Sequence, residues 1–216
     1  MQTNQDLKNA ALKALGGNWA QAIVATIVFL LIECCFYGPN TFGEELGFSP
    51  YLIYGVTGGF YISAIFLLNP LGVGFVNAFK SLIVTGDNRL ANNTFSLGFS
   101  NYLHIVGGAL LMNVFIFLWS LLLIIPGIIK SYSYAMTPYI LVDKPELSAN
   151  EAIEESMRLM SGHKFDLFYL QLSFIGWFIL ALLTAGIGFL WLTPYYNSTV
   201  ASFYLSLKAE DEAKVA

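Results

Sequence analysis

The chain has 216 residues, of which 56% are hydrophobic, 16% aromatic and only 11% charged, with a formal net charge of -4. A soluble domain carries about 25% charged residues, so this composition excludes a water-covered surface and points into lipid. No basic run marks nucleic acid as a partner. No spacing of cysteines suggests a disulfide framework, since Cys34 and Cys35 are adjacent and stand alone.

In chain order, the first element is an amphipathic stretch. Leu7, Ala10, Ala11, Ala14 and Leu15 follow one helical face, with Lys8 and Lys13 off it. Six apolar runs follow, at Trp19 to Tyr37, Val56 to Phe79, Tyr102 to Ile125, Gly127 to Val142 (short), Asp166 to Thr184 and Phe189 to Leu207. Each approaches the roughly 20 residues needed to cross about 30 Å of hydrocarbon. Their lack of alternation selects helices over barrel strands. No small-residue cleavage pattern accompanies the first run, so it reads as a retained span. The expected fold is all-α: a polytopic bundle of six transmembrane helices with interfacial amphipathic helices. Residues 1–207 form one integral membrane domain, and residues 208–216, with Glu210, Asp211 and Glu212, form an acidic disordered tail.

Nine of the ten basic residues fall on one side of this arrangement: Lys8, Lys13, Lys80, Arg89, Lys144, Arg158, Lys164, Lys208 and Lys214. The positive-inside rule then puts both termini in the cytoplasm and Glu44 and Glu45 outside. A five-span alternative places Lys208 and Lys214 on the wrong face.

A threefold helical-hairpin repeat is also visible. Glycine stations at Gly16-Gly17-Asn18, Gly98 to Asn101 and Gly162-His163-Lys164 each precede an aromatic residue that opens a span. The second helix of each hairpin carries a proline, at Asn69-Pro70, Thr137-Pro138 and Thr193-Pro194. Pro70, Pro138 and Pro194 are therefore the candidate helix-kink positions. An amphipathic helix before span five opens with a Ser148/Glu151 capping box. Its apolar face is Ala152, Ile153, Ser156, Met157 and Met160, expected to lie flat on the inner membrane surface.

The stretch IPGIIKSYSYAMTPYILVDKPELSANEAIEESMRLMSGHKFDLFYLQLSFIGWFIL, followed by LTAGIGFLWLTPYYNSTVASFY, resembles a bacterial integral-membrane family, the domain-of-unknown-function family nine-seven-five. That family is distantly similar to the membrane domain attached to some glycerophosphodiester phosphodiesterases. The resemblance is most specific from Ile125 to Tyr204. It implies a multi-pass protein of the bacterial cytoplasmic (inner) membrane without an assigned activity, and it brings no catalytic residues.

The residues themselves offer no catalytic, cofactor or metal constellation. His104 and His163 have no second ligand at i+3 or i+4, and no serine lies in a Gly-x-Ser-x-Gly elbow. The informative polar residues are Glu33 in span one and Lys130 in span four, because ionisable groups at membrane depth are costly. Counted along ideal helices, both fall in the outer half, where they form a candidate intramembrane polar pair, snorkel separately, or line an outward-facing cavity. Gly55, Gly59 and Ser63 form a small-residue ridge suited to internal packing or a homo-oligomer. The first functional expectation is non-enzymatic: a membrane protein that organises lipid or a membrane-protein partner. The alternative is a small solute or lipid transporter or channel that uses the kinked helices and the Glu33/Lys130 region.

Overall fold

Punctuation by capping residues, glycines and prolines decides where the helices begin and end. The structure is a computed structural model describing residues 2–37 and 49–215. Its helices are α1 (Asn4–Leu15), α2 (Trp19–Tyr37), α3 (Pro50–Thr85), α4 (Leu90–Phe99), α5 (Tyr102–Leu122), α6 (Ile124–Tyr134), α7 (Thr137–Asp143), α8 (Ala149–Leu159), α9 (Lys164–Leu172), α10 (Ile175–Leu183) and α11 (Phe189–Val215). No strand occurs among the described residues. Glu44 and Glu45 lie outside them.

Three stretches are long and apolar enough to cross a membrane: Ile62–Thr85, Tyr102–Leu122 and Lys164–Leu183. A fourth arises if α1 and α2 count as one broken span, but they meet at 94°. The bend falls at the first glycine station, where Gly17 has φ +81, a left-handed conformation that suits glycine. Lipid is the medium that the outer surface fits. Leu121, Leu122, Leu123, Ile124 and Ile125 at the α5–α6 turn are each 65–76% exposed, and a continuous apolar patch of this kind marks a membrane surface.

The expected fourth span is not one helix. It breaks at Ala135–Met136 into α6 and α7, and Pro138 sits in the first turn of α7, where its missing N–H costs nothing. Pro70 and Pro194, by contrast, lie inside α3 and α11. The break is closed from outside. Ser156 of α8 donates through Oγ to the Ser133 carbonyl at 2.9 Å and accepts from the Met136 N–H at 3.2 Å.

Both amphipathic helices form where the sequence places them, but protein covers their apolar faces. In α1, Leu7, Ala11 and Leu15 are buried. In α8, Ala152, Ile153 and Ser156 are buried, Ala152 within a core cluster that includes Met136, Ile140, Leu167 and Phe203. An amphipathic pattern reports that one face is covered, not what covers it. The α8 capping box has both halves, with Glu151 N–H to Ser148 Oγ at 3.3 Å and Ser148 N–H to Glu151 Oε2 at 2.7 Å.

The expected disordered tail is helical to Val215 as the end of α11. Arg158 of α8 fixes it, donating to both carboxylate oxygens of Asp211 at 2.7 Å and to Glu155 at 2.7 and 2.9 Å. Lys144 joins Glu155 at 2.7 Å. Arg158, and then Lys144, hold the Glu155 carboxyl down at about 2 against the opposing effect of burial. Arg158 holds Asp211 low as well.

Two predictions follow from these contacts. A Cβ on Gly74 would lie 1.9 Å from the Thr94 carbonyl oxygen and 2.7 Å from the Gly98 nitrogen, because α4 folds back onto α3 backbone to backbone. Gly74→Ala should destabilise the protein by about 1–3 kcal/mol in detergent unfolding. Gly72→Ala, with nothing within 4 Å, should be close to neutral, and equal effects would refute the close approach. The second concerns pH. Glu155 and Asp211 have lowered values when folded, so their stabilisation is complete above the ordinary carboxylate range and is lost as pH falls through the folded values. Amide exchange in the last turns of α11, corrected for intrinsic rate, should accelerate about fivefold between pH 5 and pH 2. Arg158→Gln should produce the same loosening at neutral pH.

Candidate functional site

Asp143 is the last residue of α7, a seven-residue helix. A carboxylate there faces the negative end of the helix dipole, so it requires cations and donors from elsewhere. Lys80 of α3 forms an ion pair with Asp143 Oδ1. Tyr204 of α11 donates its hydroxyl to Oδ2 at 2.9 Å, and Lys208, one turn further along α11, stands 3.5 Å from the same oxygen. Lys80 is the costly member, with its side chain only 10% exposed. Its ammonium also lies 5.8 Å from the Tyr204 ring centroid, a cation–π distance. Tyr204 in turn stacks on Tyr139 of α7 with centroids 4.8 Å apart.

Asn77, one turn before Lys80, completes the attachment. Its Nδ2 donates to the Val73 and Pro138 carbonyls, both at 2.8 Å. α7 is thus tied to α3 at its start by Asn77 and at its end by Lys80. Beside these residues lies a groove of about 540 Å³ between the ends of α3, α7 and α11. Ser81 and Thr85 face it from α3, and Lys208 and Glu212 from α11, with Val142 and Leu205 among its apolar walls.

A second groove, of about 370 Å³, is almost wholly apolar and lies among α1, α2, α10 and α11. Trp19, Trp177 and Trp191 line it together with Leu12, Leu180 and Leu192. Close by, Lys8 closes the carboxyl end of α9. It donates to the Ser173 carbonyl at 3.2 Å and lies 4.4 Å from the Phe174 ring centroid.

Glu33 and Lys130 are not brought together. Lys130 is enclosed by Trp119 at 4.8 Å and Tyr134 at 5.8 Å from the ring centroids, and its Nζ is 3.8 Å from Met157 Sδ of α8. Glu33 is half-buried in α2, and among the described residues no ion pair joins it to any base. His163 bonds Asp166 at 2.9 Å and approaches Glu210 at 3.5 Å. His104 has a buried Nε2 without a partner. No group of three or more metal-ligating side chains is assembled among the described residues.

Sequence reasoning counted Lys80 and Lys208 only as inner-face charges and did not pair them with Asp143. One signal was available: a lone acid closing an apolar run, with a base closing the run of each of the two other proline-bearing helices.

These features define an all-helical protein whose exposed apolar helices suit a bilayer and whose polar groups gather where α3, α7 and α11 end. Residues 120–211 match the model of a family described as "Protein of unknown function (DUF975)". No curated protein and no solved structure matches the chain, so the distant similarity to glycerophosphodiester phosphodiesterases is not shown.

The Lys80–Asp143 pair gives a third prediction. Asp143→Asn leaves a buried ammonium without a counter-charge and should cost about 3–5 kcal/mol. Adding Lys80→Met should restore part of the loss. Additive single effects in a double-mutant cycle would show that the two groups are not coupled.

Proposed function

We propose that this protein is a non-enzymatic, multi-pass component of the bacterial cytoplasmic membrane that organises lipid, with both termini on the cytoplasmic side. The observation that carries the reading is the tryptophan-lined apolar groove of about 370 Å³. α10 and the turn that follows it also expose Ile179, Leu183 and Ile187. Such a groove offers an acyl chain more contact than a flat helix face does, and indole rings favour the membrane boundary. In this reading α2, α3, α5, α6 with α7, α9 with α10, and α11 make six crossings, the fourth and fifth each built from two helices. Membrane lipid is the first partner, and a second copy or another membrane protein meets the remaining apolar faces.

The alternative, a small transporter or channel, draws on a different observation from the Glu33/Lys130 pair. Tyr132 donates to Gln171 Oε1 at 2.7 Å, and Gln171 donates to the Tyr196 hydroxyl at 2.8 Å. Thr137 Oγ1, Tyr139 Oη and Ser198 Oγ are buried without partners on the neighbouring turns. Polar groups inside a membrane bundle can line a path.

The test is fluorescence quenching by lipids brominated along the acyl chain. Trp177 and Trp191, 54% and 50% exposed, should be quenched strongly in the parent, and Trp177→Phe with Trp191→Phe should remove most of that signal. Unquenched tryptophans would refute the acyl-chain seat. Solute flux in proteoliposomes would favour the alternative. Cysteine labelling at Ser148, in a variant without Cys34 and Cys35, should occur only from the cytoplasmic side.

A further inference from the structure

The groove of about 540 Å³ between α3, α7 and α11 has a composition that selects its occupant. Its ionisable walls are Lys80, Lys208, Asp143 and Glu212, two cations and two anions. Lys80 and Asp143 already satisfy one another in part. Lys208 approaches Asp143 only at 3.5 Å, with a side chain 42% exposed, so its donors remain free for another oxyanion. Glu212 makes no ion pair among the described residues. On the α3 side the Thr85 hydroxyl donates to the Ser81 carbonyl at 2.8 Å, which leaves the Ser81 hydroxyl as the donor that can turn to the groove. At the inner wall stands Asn77, fully buried, whose Oδ1 accepts no hydrogen bond.

We propose that this groove holds the headgroup of a zwitterionic aminophospholipid, an ester of phosphate with a primary amine. The phosphodiester meets Lys208, the free donors of Lys80 and the Ser81 hydroxyl. The primary ammonium meets Glu212 and Asp143. A purely anionic headgroup would leave the site with an uncompensated negative charge, and a cation alone would leave the reverse. A ligand with one charge of each sign keeps the balance at zero. A quaternary ammonium has no N–H to give to Glu212 or to an acceptor such as Asn77 Oδ1, so a choline headgroup fits worse than an ethanolamine one. The volume lies within the range of about 300–1,000 Å³ common for small-ligand sites. Val84, Leu97, Val142 and Leu205 give an apolar exit for the glycerol end, and the groove flanks Thr85, where the apolar stretch Ile62–Thr85 ends at headgroup depth. This inference deepens the lipid-organising reading and rests on it.

The experiment measures lipid retention. The full chain is purified in detergent, loaded with phosphatidylethanolamine, phosphatidylcholine or phosphatidylglycerol, and analysed by native mass spectrometry. The expected result is retention of phosphatidylethanolamine about tenfold above either of the others. Lys208→Gln and Glu212→Gln, both on the accessible side of the groove, should each remove most of that preference, with circular dichroism at parent values in both and the melting temperature unchanged in Glu212→Gln. Soluble phosphoethanolamine should compete weakly. Equal retention of all three lipids, or unchanged preference in both variants, overturns the proposal. Competition by phosphoethanolamine as strong as that of the lipid assigns the groove to a free solute and overturns the lipid occupant. Failure here is distinct from failure of the broader reading, because acyl-chain quenching of Trp177 and Trp191 does not depend on Lys208 or Glu212.

Discussion

One carboxylate holds three helices in place. Asp143 closes a helix of seven residues, too short to be stable by itself and ending in the charge its dipole disfavours. The compensation comes from α3 through Lys80 and from α11 through Tyr204 and Lys208. That demand explains why a lysine is buried at position 80, and why Tyr204 and Tyr139 stack in the core. It also explains the groove. Two lysines and a carboxylate cannot pack as tightly as leucines, because each must keep donors or acceptors pointed at partners. The polar space left over gathers beside them.

Much of the helical content was legible in the sequence. The Ser148/Glu151 capping box forms in full, and the apolar runs become helices. The covering of the amphipathic faces was not legible. Ile153 sits on a stripe that reads equally well as membrane-surface or core, and only tertiary packing distinguishes them. The basic residues carried a similar ambiguity. Counting Lys8, Lys80, Lys144, Arg158 and Lys208 as topology signals treats them as independent charges. In the fold Lys8 closes a helix end, Lys80 and Lys208 compensate Asp143, and Lys144 and Arg158 clamp Glu155 and Asp211. A charge count holds no information about such partners.

Glu33 and Lys130 form no ion pair among the described residues. Lys130 lies beside Met157 of α8 instead and takes aromatic faces as its environment. The expected fourth span breaks after Tyr134. Prolines alone did not reveal the break, since Asn69-Pro70, Thr137-Pro138 and Thr193-Pro194 look alike in sequence. The difference is Ser156. Its hydroxyl reaches from another helix to serve Ser133 and Met136, the backbone groups that a broken ladder exposes. A backbone at membrane depth must find partners for such groups, so the break at Ala135–Met136 is viable where the α8 serine is in reach.

The same three prolines mark the helices that meet at the groove. α3 brings Asn77 and Lys80 beyond Pro70, α7 brings Asp143 beyond Pro138, and α11 brings Tyr204 and Lys208 beyond Pro194. In each case the polar residue follows the proline toward the helix end. Pro138 stands in the first turn of a new helix, and Ser156 closes the gap behind it. Asn77 then takes the Pro138 carbonyl and Lys80 takes Asp143, so α3 holds the short helix at both ends while Tyr204 and Lys208 of α11 reach its last residue. The helix that interrupts the expected fourth span is thus the one that carries the carboxylate of the polar site.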